Sequence, residues 1–161
     1  MVTKLLNKKN YLAMIENAAK GENWMFRNLY MEENGKSRDI LADGGLSCAV
    51  FASSLLYLFN SLLEFSGKKC WIEFTHANCT STEKDMVDHG WYEIEKPVVG
   101  AVLMWEVLNG EPHMGFYVGN DMAISNDSSV GSPRKHHYTY NDTRKIEKIY
   151  WHPALNEDSE E

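Results

Sequence analysis

The sequence predicts one α+β domain in which helices come first and an antiparallel sheet follows. Three observations support this: a length of 161 residues, apolar residues at helical spacing in the first half, and strand-type runs separated by turns in the second half. No repeat, linker or low-complexity segment divides the chain. We expect the domain to cover residues 1–155 and the acidic residues 156–161 to form a solvated tail.

Helices are the predicted elements of the first half. Apolar residues between Asn10 and Asn34 fall into two stripes interrupted at Gly21, which indicates one or two helices. The polar segment ENGKSRDILADGG that follows is typical of a loop. A further helix runs from about Leu46 to Phe65, and its apolar residues cover nearly the whole circumference. We therefore expect this helix to be central and buried.

The second half begins with a short predicted strand, KKCWIEF, and a helix in STEKDMVDHGW, where Thr82 and Asp85 have the spacing of a capping arrangement. After Pro97 the pattern changes to strands. The predicted strands are GAVLMWEV, HMGFYVG and MAIS, then one or two more in HHYTY and KIEKIYWH, with GND as a hairpin turn. We expect the central helix to pack across one face of this antiparallel sheet.

Composition excludes several classes of function. The net charge is −7 and no basic stripe is present, which argues against nucleic acid or anionic membrane as a partner. No apolar run reaches the ~20 residues that cross a bilayer. The first residues lack the continuous apolar stretch and cleavage site of a secretory signal, so we expect a cytoplasmic protein. The 3 cysteines, an odd number, are then expected to be reduced.

Two residues occupy positions that suit thiol catalysis. Cys48 stands at the start of the apolar helix, where free N–H groups and the helix dipole stabilise a thiolate. Taken alone, such a cysteine is more often a packed hydrophobic residue. His113 opens a strand after a turn, with Gly115 leaving room beside it, although a surface histidine fits the same pattern. Together they predict a pair in which the imidazole takes up the thiol proton.

Four blocks of the sequence carry a family resemblance: LSCAVFASSLLY, STEKDMVDHGWYEI, KPVVGAVLMWE and EPHMGFYVGNDMAIS. In order and spacing they resemble blocks of the NlpC/P60 branch of papain-like cysteine peptidases, and more loosely of the CHAP amidases. The resemblance covers residues from about 43 to 127. It implies a papain-like fold, with a central buried helix carrying the nucleophile Cys48 and an antiparallel sheet carrying the base His113.

The chain departs from that family at several positions. Ser47 stands where the family usually has an acidic residue, and Ala101 where it usually has aspartate. The third catalytic residue of the family, a His, Asn or Gln, corresponds here to Ser125, with Asn126 next to it. Because a side-chain carbonyl orients an imidazole better than a hydroxyl does, we expect Asn126 to orient His113, with Ser125 as the alternative in the family register.

His136 is a further alternative as the partner of the base. It is followed by His137, and since adjacent side chains of a strand point to opposite faces, at most one of the two lines the cleft. No His or Cys spacing matches a recognised metal-ligand pattern, so neither a metal nor another cofactor is expected.

The resemblance implies a cysteine peptidase or amidase that hydrolyses an amide bond in a peptide or peptidoglycan-fragment substrate. The alternative is a catalytically altered papain-like protein, either an acyltransferase or a binding module without enzymatic activity. A cell-wall substrate also requires a route to it when no export signal is present. Imported wall fragments or non-classical export would supply that route.

Overall fold

The computed structural model describes Met1 and residues 3–156, so residues 157–161 of the predicted acidic tail lie outside the described residues. The class is α+β, as predicted, with an N-terminal helix and a C-terminal run of strands. The elements are α1 (Asn7–Ala18), β1 (Tyr30–Glu33), β2 (Lys36–Asp39), α2 (Cys48–Phe65), α3 (Cys79–Asp88), β3 (Tyr92–Glu93), β4 (Val102–Leu108), β5 (Glu111–Gly119), β6 (Met122–Asp127), β7 (Ser132–His137), β8 (Ile146–Trp151) and a 3₁₀ turn (Pro153–Asn156).

The main sheet has six strands in the order β3-β8-β4-β5-β6-β7, and every neighbouring pair is antiparallel. This confirms that GAVLMWEV, HMGFYVG and MAIS share one sheet. The predicted GND turn joins β5 to β6, with Asn120 at φ 52° and Asp121 at φ 59°. Two central residues with positive φ match the twist of the flanking strands, which is why Asn and Asp suit this hairpin.

Helix α2 packs against β5 and β6, and α1 and α3 both contact α2 and β5. The side of α2 that faces these elements is fully buried, and Phe51, Leu56 and Phe59 have no exposed surface. The opposite side is not covered in this way, since Tyr57 is 47% exposed and Leu58 is 50% exposed. The expectation that α2 is buried around its whole circumference is therefore wrong for that side. By length and composition alone α2 could span a membrane, a test that the core helix of a soluble domain also passes.

Two early predictions fail between α1 and α2. The second apolar stripe, from Trp24 to Leu29, forms turns rather than a helix, and the Arg27 guanidinium lies 4.5 Å above the Trp24 ring. The segment predicted as a loop contains β2, which pairs with β1 through an Asn34–Gly35 turn in which both residues have positive φ. Asn-Gly is a strong hairpin signal that the polar composition of the segment obscured.

The predicted strand KKCWIEF is irregular backbone in the structure. Side chains satisfy its main chain in place of a neighbouring strand: Asn60 accepts from the Trp71 N–H and donates to the Ile72 carbonyl, while Asp85 accepts from two further N–H groups. The predicted capping arrangement of Thr82 and Asp85 is also wrong, because the Asp85 carboxylate accepts from the Glu73 and Phe74 N–H groups. Asn78 caps α3 instead, accepting from the Ser81 N–H at 2.8 Å, and leaves the Asp85 carboxylate to hold the loop.

Candidate active site

Cys48 is the first residue of α2 and is half-buried. The approach to α2 is a tight loop in which Ala42, Asp43 and Gly44 all have positive φ. Arg27 fixes this loop through two hydrogen bonds to the Asp43 carboxylate, at 2.7 and 2.9 Å. The Arg27 guanidinium lowers the pKa of Asp43 to about 2, so the ion pair persists through the neutral and mildly acidic range. The start of α2 is thereby held at a defined position.

Cys79 brings a second thiol to the same point. It is the first residue of α3 and is 2% exposed, and its Sγ lies 3.7 Å from the Sγ of Cys48. Both cysteines are free thiols, as is the exposed Cys70. Sequence reasoning found no role for Cys79. The N-cap Asn78 directly before it was the available signal that Cys79 also begins a helix.

The environment of Cys48 favours the thiolate. Hydrogen bonding by the Cys79 thiol is the largest cause that lowers the pKa of Cys48 well below its usual range, and His113 adds a hydrogen bond and a favourable charge. Burial acts in the opposite direction because it disfavours the charged form. The Pro112 carbonyl, 3.8 Å from Sγ, can accept only from the protonated thiol and also opposes ionisation. The effects of Cys79 and His113 outweigh those of burial, so the pKa of Cys48 remains below its usual range.

His113 lies on β5 beside the indole of Trp105, with ring centroids 5.1 Å apart. Its Nε2 contacts two hydroxyl groups, that of Ser125 at 2.9 Å and that of Tyr140 at 2.8 Å. His113 lines the same cavity as Cys48, and it is among the causes that lower the pKa of the Cys48 thiol. Since the two hydroxyl groups engage Nε2, Nδ1 is the ring nitrogen that they leave open. The structure thus brings the predicted thiol and imidazole together.

The expected orienting role of Asn126 is wrong. Its side-chain amide donates to the Gly44 carbonyl at 2.8 Å, away from the imidazole, and Ser125 contacts the ring instead. Strand alternation explains the exchange, because neighbouring residues of β6 must face opposite sides of the sheet. Asn126 therefore holds the loop that leads into α2. Ser125, the alternative that matches the position of the third catalytic residue in the resembled family, lies beside His113.

His136 and Tyr140 extend the contact beyond Ser125. The Ser125 hydroxyl lies 2.7 Å from Nε2 of His136 and 3.1 Å from the Tyr140 hydroxyl, and the rings of His136 and Tyr140 stack at 4.1 Å. His137 points elsewhere and accepts from the Thr139 N–H, as the expectation of opposite faces required. Tyr140 was missed from the sequence because it follows β7 in a turn, with no periodic pattern to place it.

The hydrogen bond between Ser125 and His136 has a determined direction. The His137 carbonyl can only accept, so the Nδ1 of His136, 2.8 Å away, carries a proton. Burial lowers the pKa of His136, which favours the neutral ring and makes its Nε2 an acceptor. Ser125 therefore donates to His136, and its oxygen is left to accept from His113 or from the Tyr140 hydroxyl. In the tautomer of His113 that carries its proton on Nε2, both hydroxyl oxygens can accept that proton, and Nδ1 is the nitrogen that can take up a further one.

A cavity of about 680 Å³ opens over the pair. Its lining carries both signs of charge, since it includes Arg134 and Arg144 as well as Glu111 and Asp127. Within the described residues, no group of three or more His, Cys, Asp or Glu side chains is placed to hold a metal ion. Neither a protein-family model nor a curated protein matches this chain. The geometry of the site is therefore the basis for assigning a function.

Proposed function

We propose that this protein is a cysteine peptidase or amidase with a papain-like arrangement of its site. One observation carries the proposal: a half-buried thiol at the first residue of a helix lines the same cavity as an imidazole whose Nε2 is held by Ser125. Such a pair supplies a nucleophile and a general base or acid at the mouth of a cavity. The resemblance of the surrounding blocks to the NlpC/P60 branch supports the same assignment.

In the proposed first step, the Cys48 thiolate attacks the carbonyl carbon of an amide. The oxyanion that forms needs donors, and the first N–H groups of α2, including that of Cys48, have no acceptor within the helix. His113 gives its Nδ1 proton to the departing amine, so the C–N bond breaks and a thioester forms on Cys48.

In the second step, neutral His113 takes a proton from water, which attacks the thioester carbon. The C–S bond breaks, the carboxylic acid leaves and the Cys48 thiolate returns beside protonated His113. Ser125 and His136 keep Nε2 of His113 bonded throughout, so the ring does not rotate away between the two proton transfers.

The charged residues of both signs in the cavity lining favour a substrate that carries carboxylate and amine groups. Peptides of the bacterial cell wall have both, and the family resemblance points to the same class. We therefore propose a peptidoglycan peptide as the substrate.

The test is hydrolysis of purified peptidoglycan fragments, with products identified by mass spectrometry. We expect cleavage of one amide bond, and a covalent acyl adduct on Cys48 when the reaction is quenched early. Cys48→Ser and His113→Ala should each reduce the rate by at least about 100-fold, the lower range of a general acid–base contribution. Cys70→Ser is the matched control, since Cys70 is an exposed cysteine outside the cavity lining, and it should keep the full rate.

Ser125→Ala tests the orienting group separately. We expect kcat to fall about tenfold or more with KM little changed, and the acidic limb of the pH–rate profile to move, because His113 loses its acceptor. Two outcomes contradict the proposal: no cleavage of any peptide amide by the folded protein, or transfer of the acyl group only to an added amine and never to water.

A further inference from the structure

Cys48 and Cys79 form a pair of thiols at the meeting point of two helices. Each is the first residue of its helix, and their sulfur atoms are 3.7 Å apart. A disulfide has an S–S length of about 2.05 Å, so the two atoms need to approach by roughly 1.6 Å. Rotation about the two Cα–Cβ bonds supplies movement of this size without unfolding either helix. The proposed hydrolytic reaction uses only Cys48.

The two thiols differ in the properties that separate an attacking cysteine from a resolving one. Cys48 is half-buried and lines the cavity, so a small molecule that enters the cavity reaches it. Cys79 borders the same cavity, but it is only 2% exposed. The same hydrogen bond that lowers the pKa of Cys48 raises the pKa of Cys79, and burial raises the pKa of Cys79 further. Cys48 is therefore the easier of the two thiols to ionise, and Cys79 is the one that holds its proton more firmly.

We propose that Cys48 and Cys79 are a dithiol site for hydroperoxides, in which Cys48 is oxidised and Cys79 resolves it as a disulfide. The Cys48 thiolate attacks one oxygen of the hydroperoxide; an S–O bond forms, the O–O bond breaks, and the leaving alkoxide or hydroxide takes up a proton. Cys48 is then a sulfenic acid. The Cys79 sulfur attacks the Cys48 sulfur, the S–S bond forms, and the S–O bond breaks. Hydroxide leaves and becomes water with the proton of Cys79.

The second step follows from the charge change in the first. The largest cause that raises the pKa of Cys79 is its hydrogen bond to Cys48, and after burial comes the negative charge of that neighbour. A sulfenic acid is neutral, so both effects disappear once Cys48 is oxidised. Arg144, whose charge lowers the pKa of Cys79, then acts unopposed by Cys48. Cys79 thus becomes easier to ionise at the moment when it has to attack.

The disulfide removes the nucleophile of the active site, so it switches hydrolysis off until a dithiol reduces it; this consequence alone rests on the proposed function. It also protects Cys48, because a sulfenic acid without a resolving thiol proceeds to the sulfinic acid, which dithiols do not reverse. The disulfide and the sulfinic acid are distinguished by mass, whether or not the protein hydrolyses a peptide.

The experiment treats the folded Cys70→Ser protein, which keeps only the two thiols of interest, with one equivalent of hydrogen peroxide. We expect the intact mass to fall by two hydrogens, a proteolytic fragment pair linked through Cys48 and Cys79, and full reversal by dithiothreitol. The double variant with Cys79→Ser should instead give a Cys48 sulfenic acid that dimedone traps. Without dimedone and with a second equivalent of hydrogen peroxide, this variant should gain two oxygens, and dithiothreitol should not reverse the gain.

A sulfinic acid at Cys48 in the Cys70→Ser protein, with no linked fragment, would overturn the redox proposal. So would a linked fragment that forms only after the protein has been unfolded. These readouts need no hydrolytic substrate. A reversible disulfide in a protein that cleaves no peptide contradicts the proposed function alone, whereas hydrolysis that peroxide abolishes irreversibly contradicts the redox proposal alone.

Discussion

Gly115→Ala perturbs the site through backbone packing without touching a reacting group. A Cβ added at Gly115 would lie 2.5 Å from the Ile124 carbonyl oxygen and 2.7 Å from the Ser125 Cβ. Real contacts of a Cβ are almost never shorter than 3.0 Å, so β5 and β6 must separate by about 0.5 Å at the point where Ser125 reaches His113. Overpacking of this kind lowers the free energy of unfolding by roughly 1–3 kcal/mol. Alanine also restricts the backbone of the unfolded chain more than glycine does, and this offsets about 0.5–1 kcal/mol of the loss.

We therefore expect Gly115→Ala to lower the free energy of unfolding by about 1–2 kcal/mol, measured by urea denaturation. The alkylation rate of Cys48 at mildly acidic pH should fall about tenfold or more, because His113 no longer keeps its position beside the sulfur. Gly67→Ala is the matched control. Gly67 follows α2 at φ 70° with nothing within 4 Å of an added Cβ, so its substitution costs about 1 kcal/mol through backbone strain and leaves the site unchanged.

Equal alkylation rates in Gly115→Ala, Gly67→Ala and the unsubstituted protein would refute this reasoning. A double-mutant cycle with Ser125→Ala makes the test sharper. If Gly115→Ala acts by displacing Ser125, the two substitutions together should slow Cys48 little more than either one alone.

Three other outcomes follow from burial and charge. Leu55→Ala should destabilise the protein by about 2–5 kcal/mol in urea denaturation, because Leu55 is 3% exposed on the packed side of α2. Alkylation of Cys48 should remain fast as the pH falls from about 8 to 6, with exposed Cys70 as the reference in the same sample, and equal labelling of all the cysteines would contradict the thiolate. His136 should titrate below about 6.5 by NMR, since burial lowers its pKa. As the pH falls, the unfolded chain takes up this proton before the folded protein does. The free energy of unfolding should therefore fall as the pH drops from about 6.5 through the folded pKa, and it should fall less in His136→Gln.

The sequence was sufficient to predict the sheet strands that carry the site, and the two residues that it singled out, Cys48 and His113, line one cavity. Apolar strand-type runs and a clear turn signal made β5 and β6 predictable, and a long apolar run at helical spacing made α2 predictable. Asn126 could not be separated from Ser125, because one residue of register decides which of them faces the imidazole. Only the pairing of β6 with β5 in three dimensions sets that register.

Other parts of the site depend on contacts between residues that are distant in the sequence. Asn60 and Asp85 make the hydrogen bonds of the backbone of residues 71–74 that a neighbouring strand would otherwise make. No local sequence pattern predicts this arrangement. Cys79 meets Cys48 only because two separate helices begin at the same place. Apolar periodicity predicts which side of a helix or strand is buried, but it does not predict which polar side chains come together at a site.

The direction of the hydrogen bond between Ser125 and His136 explains how a serine can serve where a side-chain amide would be the stronger orienting group. A hydroxyl alone orients an imidazole weakly, because it can rotate and act as donor or acceptor. Here the His137 carbonyl fixes the proton on Nδ1 of His136, and the neutral His136 ring then fixes the Ser125 hydroxyl as a donor toward it. Ser125 is thereby left as an acceptor, and when His113 carries its proton on Nε2 the hydroxyl oxygen can fill the role of an amide oxygen. The orienting function is distributed over β6 and β7, and it depends on His136 staying neutral.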